Sequence, residues 1–165
     1  MKTPFRLILV ILGFTAMLPA TWAASTAKQL EVAQKGAMVM PFNGQNSKHV
    51  FQKMPDGGLQ QVLANDASDK SLVEAIRGHL SMEADRFKKG DYSDPMKIHG
   101  MDMPGVQYLS SVKPGQIVIA YRDLPNGGEV RYTGKDAATV TAIHNWFDAQ
   151  LSDHGSDATD KRPAG

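Results

Sequence analysis

The sequence predicts an α+β fold: two ββα units forming one antiparallel sheet, with two helices packed on one face as a two-layer sandwich. Three observations predict it. Pro55-Asp56-Gly57-Gly58 separates the apolar-rich runs 49–54 and 59–64, and Pro125-Asn126-Gly127-Gly128 separates the alternating runs 117–122 and 130–132. Pro sets φ and the following residues accept a positive φ, which is the chemistry of a tight hairpin. Each hairpin then leads into a segment of helical period. The order also recurs residue by residue: Met54-Pro-Asp-Gly-Gly matches Leu124-Pro-Asn-Gly-Gly, and Ala75-Ile-Arg-Gly-His-Leu matches Ala142-Ile-His-Asn-Trp-Phe. Hairpin-then-helix is a common order, so the match speaks for shared architecture before common descent.

The elements follow in chain order. Residues 1–23 read as a secretory signal peptide: Lys2 and Arg6 open it, 7–18 are apolar, Pro19 breaks the run, and Thr21-Trp22-Ala23 places small residues where a signal peptidase looks. Twelve residues span about 18 Å as a helix, short of the roughly 30 Å hydrocarbon core. Export with cleavage after Ala23 is therefore expected, to the periplasm or beyond. Residues 24–36 form a polar, Ala-rich lead-in, as a short helix or a loose segment. A single domain covers 37–155, beginning with a short strand over 38–42.

The first unit, about 49–89, places a helix over 69–89. Ser71 with Glu74 forms its capping box, and Lys88-Lys89-Gly90 ends it. Val73, Ile76, Leu80, Ala84 and Phe87 fall on its buried stripe. Residues 90–115 hold four Gly and three Pro and predict a long irregular loop. In the second unit, about 116–155, Ile117, Ile119 and Tyr121 share a strand face. A helix follows from Asp136, with Val140, Ile143, Phe147 and Leu151 as its stripe. Residues 156–165 predict a disordered tail.

Composition narrows the function. The chain has 165 residues with Lys+Arg 18 against Asp+Glu 17, too balanced for a nucleic-acid partner. Loss of Lys2 and Arg6 takes the 18 basic residues to 16 against 17 acidic ones, a net −1. No second run is long enough to span a bilayer, so stable membrane insertion after cleavage is not expected. With no Cys there is no disulfide, thiol nucleophile, zinc-thiolate or iron–sulfur site.

Ligation then falls to His, Met, Asp and Glu. His79 and Glu83 are spaced i, i+4 along the edge of the first helix stripe. His144 lies about 50° from the centre of the second stripe, with Asp148 one turn on to orient it. In the loop, Ile98-His99-Gly100-Met101-Asp102-Met103 alternates, so an extended backbone points His99, Met101 and Met103 the same way. The string His99-Gly-Met101 is similar to the His-x-Met ending of periplasmic copper chaperones, with Arg77 where their central Met would fall. Each group also has a plainer role: His79–Glu83 as a helix-surface ion pair, His144 as a core-edge ring, Met101 and Met103 as gap fillers. His49 on its strand and His154 at a helix end, where it suits the dipole, read as structural.

The strings His79-Leu-x-x-Glu83-Ala-x-Arg86-Phe87, Gly90-Asp-Tyr-Ser-Asp-Pro95, Ile98-His-Gly-x-x-Met103-Pro-Gly105 and Ile143-His-x-Trp-Phe-Asp-Ala-Gln-Leu-x-Asp-His-Gly155 resemble those of small exported bacterial proteins that carry the name aspartate carbamoyltransferase. The resemblance covers about 36–155. The name implies carbamoyl transfer, yet the Ser-Thr-Arg-Thr loop that binds carbamoyl phosphate in that enzyme has no counterpart here, and no catalytic residue carries over.

The leading expectation is an exported periplasmic metal-binding protein. His79, Glu83, His99 and His144 are the candidate ligands, with Met101 and Met103 as thioether alternatives and Asp148 behind them. Copper is favoured over zinc or haem because Met stands beside His. Two alternatives use the same surface: a small hydrolase or lyase-like enzyme working through the His/Glu/Asp cleft on a small molecule, and a partner-binding module presenting 90–115.

Overall fold

Both hairpins form where the turn chemistry places them. In the computed structural model, which describes residues 26–162, β1 (Ser47–Met54) pairs with β2 (Gly57–Ala64), and β3 (Ile117–Leu124) with β4 (Gly127–Gly134). The expected signal peptide lies outside the described residues. The two hairpins share one register shifted by 70 positions, Met54↔Gly57 becoming Leu124↔Gly127 and Ser47↔Ala64 becoming Ile117↔Gly134. They join through their second strands: β2 runs antiparallel to β4, with Gln60 opposite Val130.

That seam admits only glycine at two matched points. A Cβ on Gly57 would lie 2.1 Å from the Tyr132 carbonyl oxygen, and one on Gly127 would lie 2.0 Å from that of Val62. Tyr132 is itself the position 70 beyond Val62, so the two contacts repeat under the same shift.

The helices α2 (Lys70–Phe87) and α5 (Ala137–His154) cross over rather than sit on their own hairpins. α2 packs mainly on β4 and β3, while α5 packs mainly on β2 and β1. The buried side chains of α2 include Val73, Ile76, Leu80, Ala84 and Phe87, the stripe expected. In α5 the buried side turns toward Ala142, Trp146 and Gln150, leaving Val140 and Leu151 half-buried. Trp146 is fully buried and meets Phe87, Tyr92 and Tyr132 edge to face at 5.7, 5.6 and 5.4 Å between ring centroids. Such arrangements add about 0.5–1.5 kcal/mol each beyond area burial.

Four expectations are corrected. Residues 38–42 form no strand, because α1 (Ala27–Val39), started by a Thr26–Gln29 capping box, takes the first two of them and bends follow, with Pro41 barring further helix. The cap of α2 is Asp69, whose carboxylate accepts from Leu72 N at 3.0 Å and from Ser71 Oγ at 2.8 Å. Ser71 therefore lies inside the first turn rather than capping it. The segment 90–115 holds two short helices, α3 (Ser93–His99) and α4 (Val106–Ser111). Its Gly and Pro mark helix ends: Pro95 sits in the first turn of α3, Gly100 closes that helix at φ 112°, and Gly105 precedes α4. The start of the expected disordered tail is ordered, since β5 (Ala158–Thr159) pairs in parallel with His49 and Val50 on the free edge of β1.

The sheet order is β3-β4-β2-β1-β5. α1 lies outside the sheet, held by Lys28 Nζ on the His99 carbonyl at 2.6 Å and Gln29 Nε2 on that of Ser152 at 3.0 Å. Among the described residues no helix is long and apolar enough to cross a membrane.

The seam carries a direct test. Gly127→Ala is expected to lower the unfolding free energy by about 3 kcal/mol or more in urea melts. Gly78→Ala, where the added Cβ would meet no atom within 4 Å, should be neutral or stabilising.

Candidate functional site

α2 and α5 stand apart over the middle of the sheet, and the gap between them is a cavity. His79, Leu80, Glu83 and Phe87 of α2 face Trp146, Gln150 and His154 of α5, above His49, Phe51, Gln60 and Val62 of the sheet. Asp94, Pro95, Ile98 and His99 of α3 close one side, and Val39, Met40 and Phe42 at and after the end of α1 close another. The concavity spans about 590 Å³ with its open mouth included. That is room for several waters or one small ring. A second concavity beneath α1 shares Met40, His49 and His154 with it.

The two helix walls are ladders of i, i+4 spacing, His79–Glu83–Phe87 and Trp146–Gln150–His154. Under the alignment that matches Ala75 with Ala142, these are equivalent positions. The cavity therefore sits between corresponding faces of the two units.

Arg86 organises the acidic wall. Its Nε meets Asp91 Oδ2 at 2.9 Å, its Nη1 meets Glu83 Oε1 at 3.1 Å and also Asp94 Oδ2, and its Nη2 meets Ser93 Oγ at 2.5 Å. One guanidinium thus ties α2 to Asp94 and Ser93 of α3 and to Asp91 just before it. Burial, and then the charge of Asp94, pushes Glu83 up to about 7 against the pull of Arg86. Burial opposes ionisation of Asp94 too, but hydrogen bonds from Lys97 and Arg86 hold it below its ordinary value. The proton of this pair accordingly resides on Glu83 near neutrality.

Four histidines line the cavity. His99 Nδ1 meets Asp153 Oδ2 at 2.8 Å; a carboxylate only accepts, so Nδ1 carries the hydrogen and Nε2 the lone pair. The rings of His49 and His154 stack at 4.7 Å, and His99 meets His154 edge-on at 5.1 Å. Burial lowers all four: His49 to about 4, His154 well below its usual value, and His79 and His99 in the same direction, with Asp153 partly restoring His99. They are neutral at pH 7. His154 consequently brings no charge to the end of α5, contrary to the dipole role expected of it.

Several buried polar atoms here have no hydrogen-bond partner: His49 Nδ1, His79 Nδ1, Trp146 Nε1 and Gln150 Oε1. Each such atom costs about 1–3 kcal/mol when left unsatisfied.

Of the candidate ligands, His79, Glu83 and His99 do share this cavity. His144 does not join them. Its Nε2 donates to the carbonyls of Met54 and Gly57 at 3.0 and 2.9 Å, pinning α5 to the first hairpin turn. Asp148, expected behind His144, instead pairs with Lys53 at 2.7 Å on the surface. Met101 is 69% exposed and Met103 is buried in the hydrophobic core, because α3 ends at His99 and the chain beyond is not an extended strand. Among the described residues no group of three or more His, Asp or Glu is arranged to hold a metal ion. Gln60, Trp146, Gln150, His49 and His154 join the site without a ligand signal of their own in the sequence. Carrying His79 and Glu83 across the repeat alignment points to Trp146 and Gln150, and the same step from Phe87 reaches His154.

No protein-family model, no curated protein and no solved structure matches the chain.

The buried histidines make stability depend on pH. Their folded values lie below the unfolded value near 6.5, so the unfolded chain binds more protons and stability falls as pH drops from 6.5 toward 4. Glu83 acts oppositely: its folded value of about 7 exceeds the unfolded 4.5, so its contribution declines as pH rises between them. Four groups against one leave a net loss in acid. In urea melts at pH 7.0, 5.5 and 4.5, His49→Gln should shrink the loss by about 2 kcal/mol, and Glu83→Gln should steepen it. Equal pH dependence in wild type and His49→Gln would contradict this account.

Proposed function

We propose that the protein is an exported binding domain that takes a small uncharged molecule into the cavity between α2 and α5. The carrying observation is that four residues lining the cavity hold buried atoms without partners, Trp146 Nε1, Gln150 Oε1, His49 Nδ1 and His79 Nδ1, in a lining that also includes Phe42, Phe51, Leu80 and Phe87. Apolar walls with a few convergent polar groups are the usual make-up of a small-molecule site. The charge state argues for an uncharged ligand. Arg86 is engaged by Glu83, Asp91, Asp94 and Ser93, and Asp94 is paired with Arg86 and Lys97. The histidines are neutral, so an ion would enter without a free counter-charge. The leader sequence at 1–23 supports export.

Trp146 reports occupancy directly. With Trp22→Phe it is the sole indole of the chain, and its emission should change saturably on titration with cyclohexanol, cyclohexanone or 2-piperidone. Cyclohexanecarboxylate should bind at least about tenfold more weakly at pH 7, since a buried unpaired charge is costly. Gln150→Leu should weaken 2-piperidone, whose N–H needs an acceptor, about fivefold and leave cyclohexanone unchanged. No saturable change with any of the three neutral rings would overturn the reading.

A further inference from the structure

The cavity holds two proton-transfer groups, each with an opposite charge already beside it. We propose that it is catalytic, moving a hydrogen between the α-carbon and the oxygen of a bound ketone or similar neutral carbonyl compound, with His99 as base and Glu83 as acid. The inference rests on the binding reading above and adds a reaction to it.

The first support is the His99–Asp153 pair. The 2.8 Å contact through Nδ1 fixes the ring's tautomer and orientation, leaving Nε2 to accept a proton, and the side chain is 2% exposed. Asp153 stands ready to stabilise the imidazolium that acceptance creates. Around this ring lie Asp153 and His154 of α5, His49 of β1, and Lys28 of α1, whose ammonium is bonded to the His99 carbonyl. Asp153 is thus the anion in contact with it.

The second support is Glu83, on the α2 wall of the same cavity. Burial and Asp94 push it up to about 7, so a large share carries the proton at neutrality, and Arg86 at 3.1 Å awaits the carboxylate left when the proton goes. A base and an acid whose surroundings push their proton affinities apart are the pattern of acid–base sites. The third support is Trp146 Nε1, a fully buried donor without a partner, which suits a carbonyl oxygen gaining negative charge.

The step balances without a cofactor. His99 Nε2 takes the proton from the α-carbon, and the C–H pair becomes the C=C bond. The C=O pair moves to oxygen, which takes the proton of Glu83. The products are an enol, His99 as imidazolium beside Asp153, and Glu83 as carboxylate beside Arg86. The His99 imidazolium N–H exchanges with solvent; return of a solvent-derived proton from His99 to carbon, and of the enol proton to Glu83, restores both groups.

Cyclohexanone in D₂O tests this on the full chain. Proton NMR follows loss of the C2 and C6 hydrogens while Trp146 emission reports binding. Exchange should run at least tenfold above buffer. His99→Gln and Glu83→Gln should each remove about 100-fold of any larger excess, or all of a smaller one, with cyclohexanone affinity held within threefold. Asp153→Asn, which removes the anion that raises His99, should slow exchange and move the acid limb of its pH profile to lower pH. Exchange at the buffer rate by protein shown to bind cyclohexanone overturns the catalytic inference and leaves the binding reading intact, as does an excess that survives both variants. Failure to bind any of the neutral rings overturns both.

Discussion

The β2–β4 seam is the constraint from which the rest follows. Because Gly57 and Gly127 let the two central strands approach without side chains between them, the hairpins meet in matched register and present one continuous inner face. α2 and α5 then settle across the seam mainly onto the opposite hairpin, so each ββα unit is covered chiefly by the other unit's helix. The gap left between the helices lies over the sheet centre, lined by equivalent positions of the two units. Where the first places His79, Glu83 and Phe87, the second places Trp146, Gln150 and His154. The cavity is a product of the fold's two-part plan, and its chemistry comes from the differences between the parts.

Those differences have an energetic cost that the surroundings offset. Several unpartnered polar atoms and four neutral histidines would weaken an ordinary core. Here they adjoin a dense aromatic cluster around Trp146, and α3 is anchored by the Arg86 network rather than by apolar packing alone. With no disulfide possible, the burden falls on this packing. The site occupies the part of the interior where local requirements of stability are least well met, as is common where function competes with packing.

Much of the fold is legible in the sequence. Pro-Asp-Gly-Gly and Pro-Asn-Gly-Gly mark both turns, and the α2 stripe from Val73 to Phe87 reads correctly because all its members are apolar. Reading fails where one residue type serves two purposes. Gly100 and Pro95 look like loop residues but bound short helices, and Ser71 mimics a cap that Asp69 supplies. The site is half legible. His79, Glu83 and His99 stand out as ionisable groups at stripe edges or in the linking segment. His144 stands out for the same reason, yet it donates to two turn carbonyls that no periodicity reveals. Gln150 and Trp146 read as ordinary helix residues, since their significance depends on a partner face more than 60 positions earlier in the chain.

The crossed helices also bear on how the chain folds. β2 finds β4 only after an intervening stretch that includes α2, α3 and α4, and β1 acquires its second neighbour from Ala158 and Thr159, almost at the end of the described chain. Closing such long loops is entropically unfavourable until the distant partner arrives, and folds dominated by distant contacts form slowly. The first ββα unit therefore has no complete core of its own while the chain is still emerging. It stays open until the second unit supplies both the strand beside it and the helix above it.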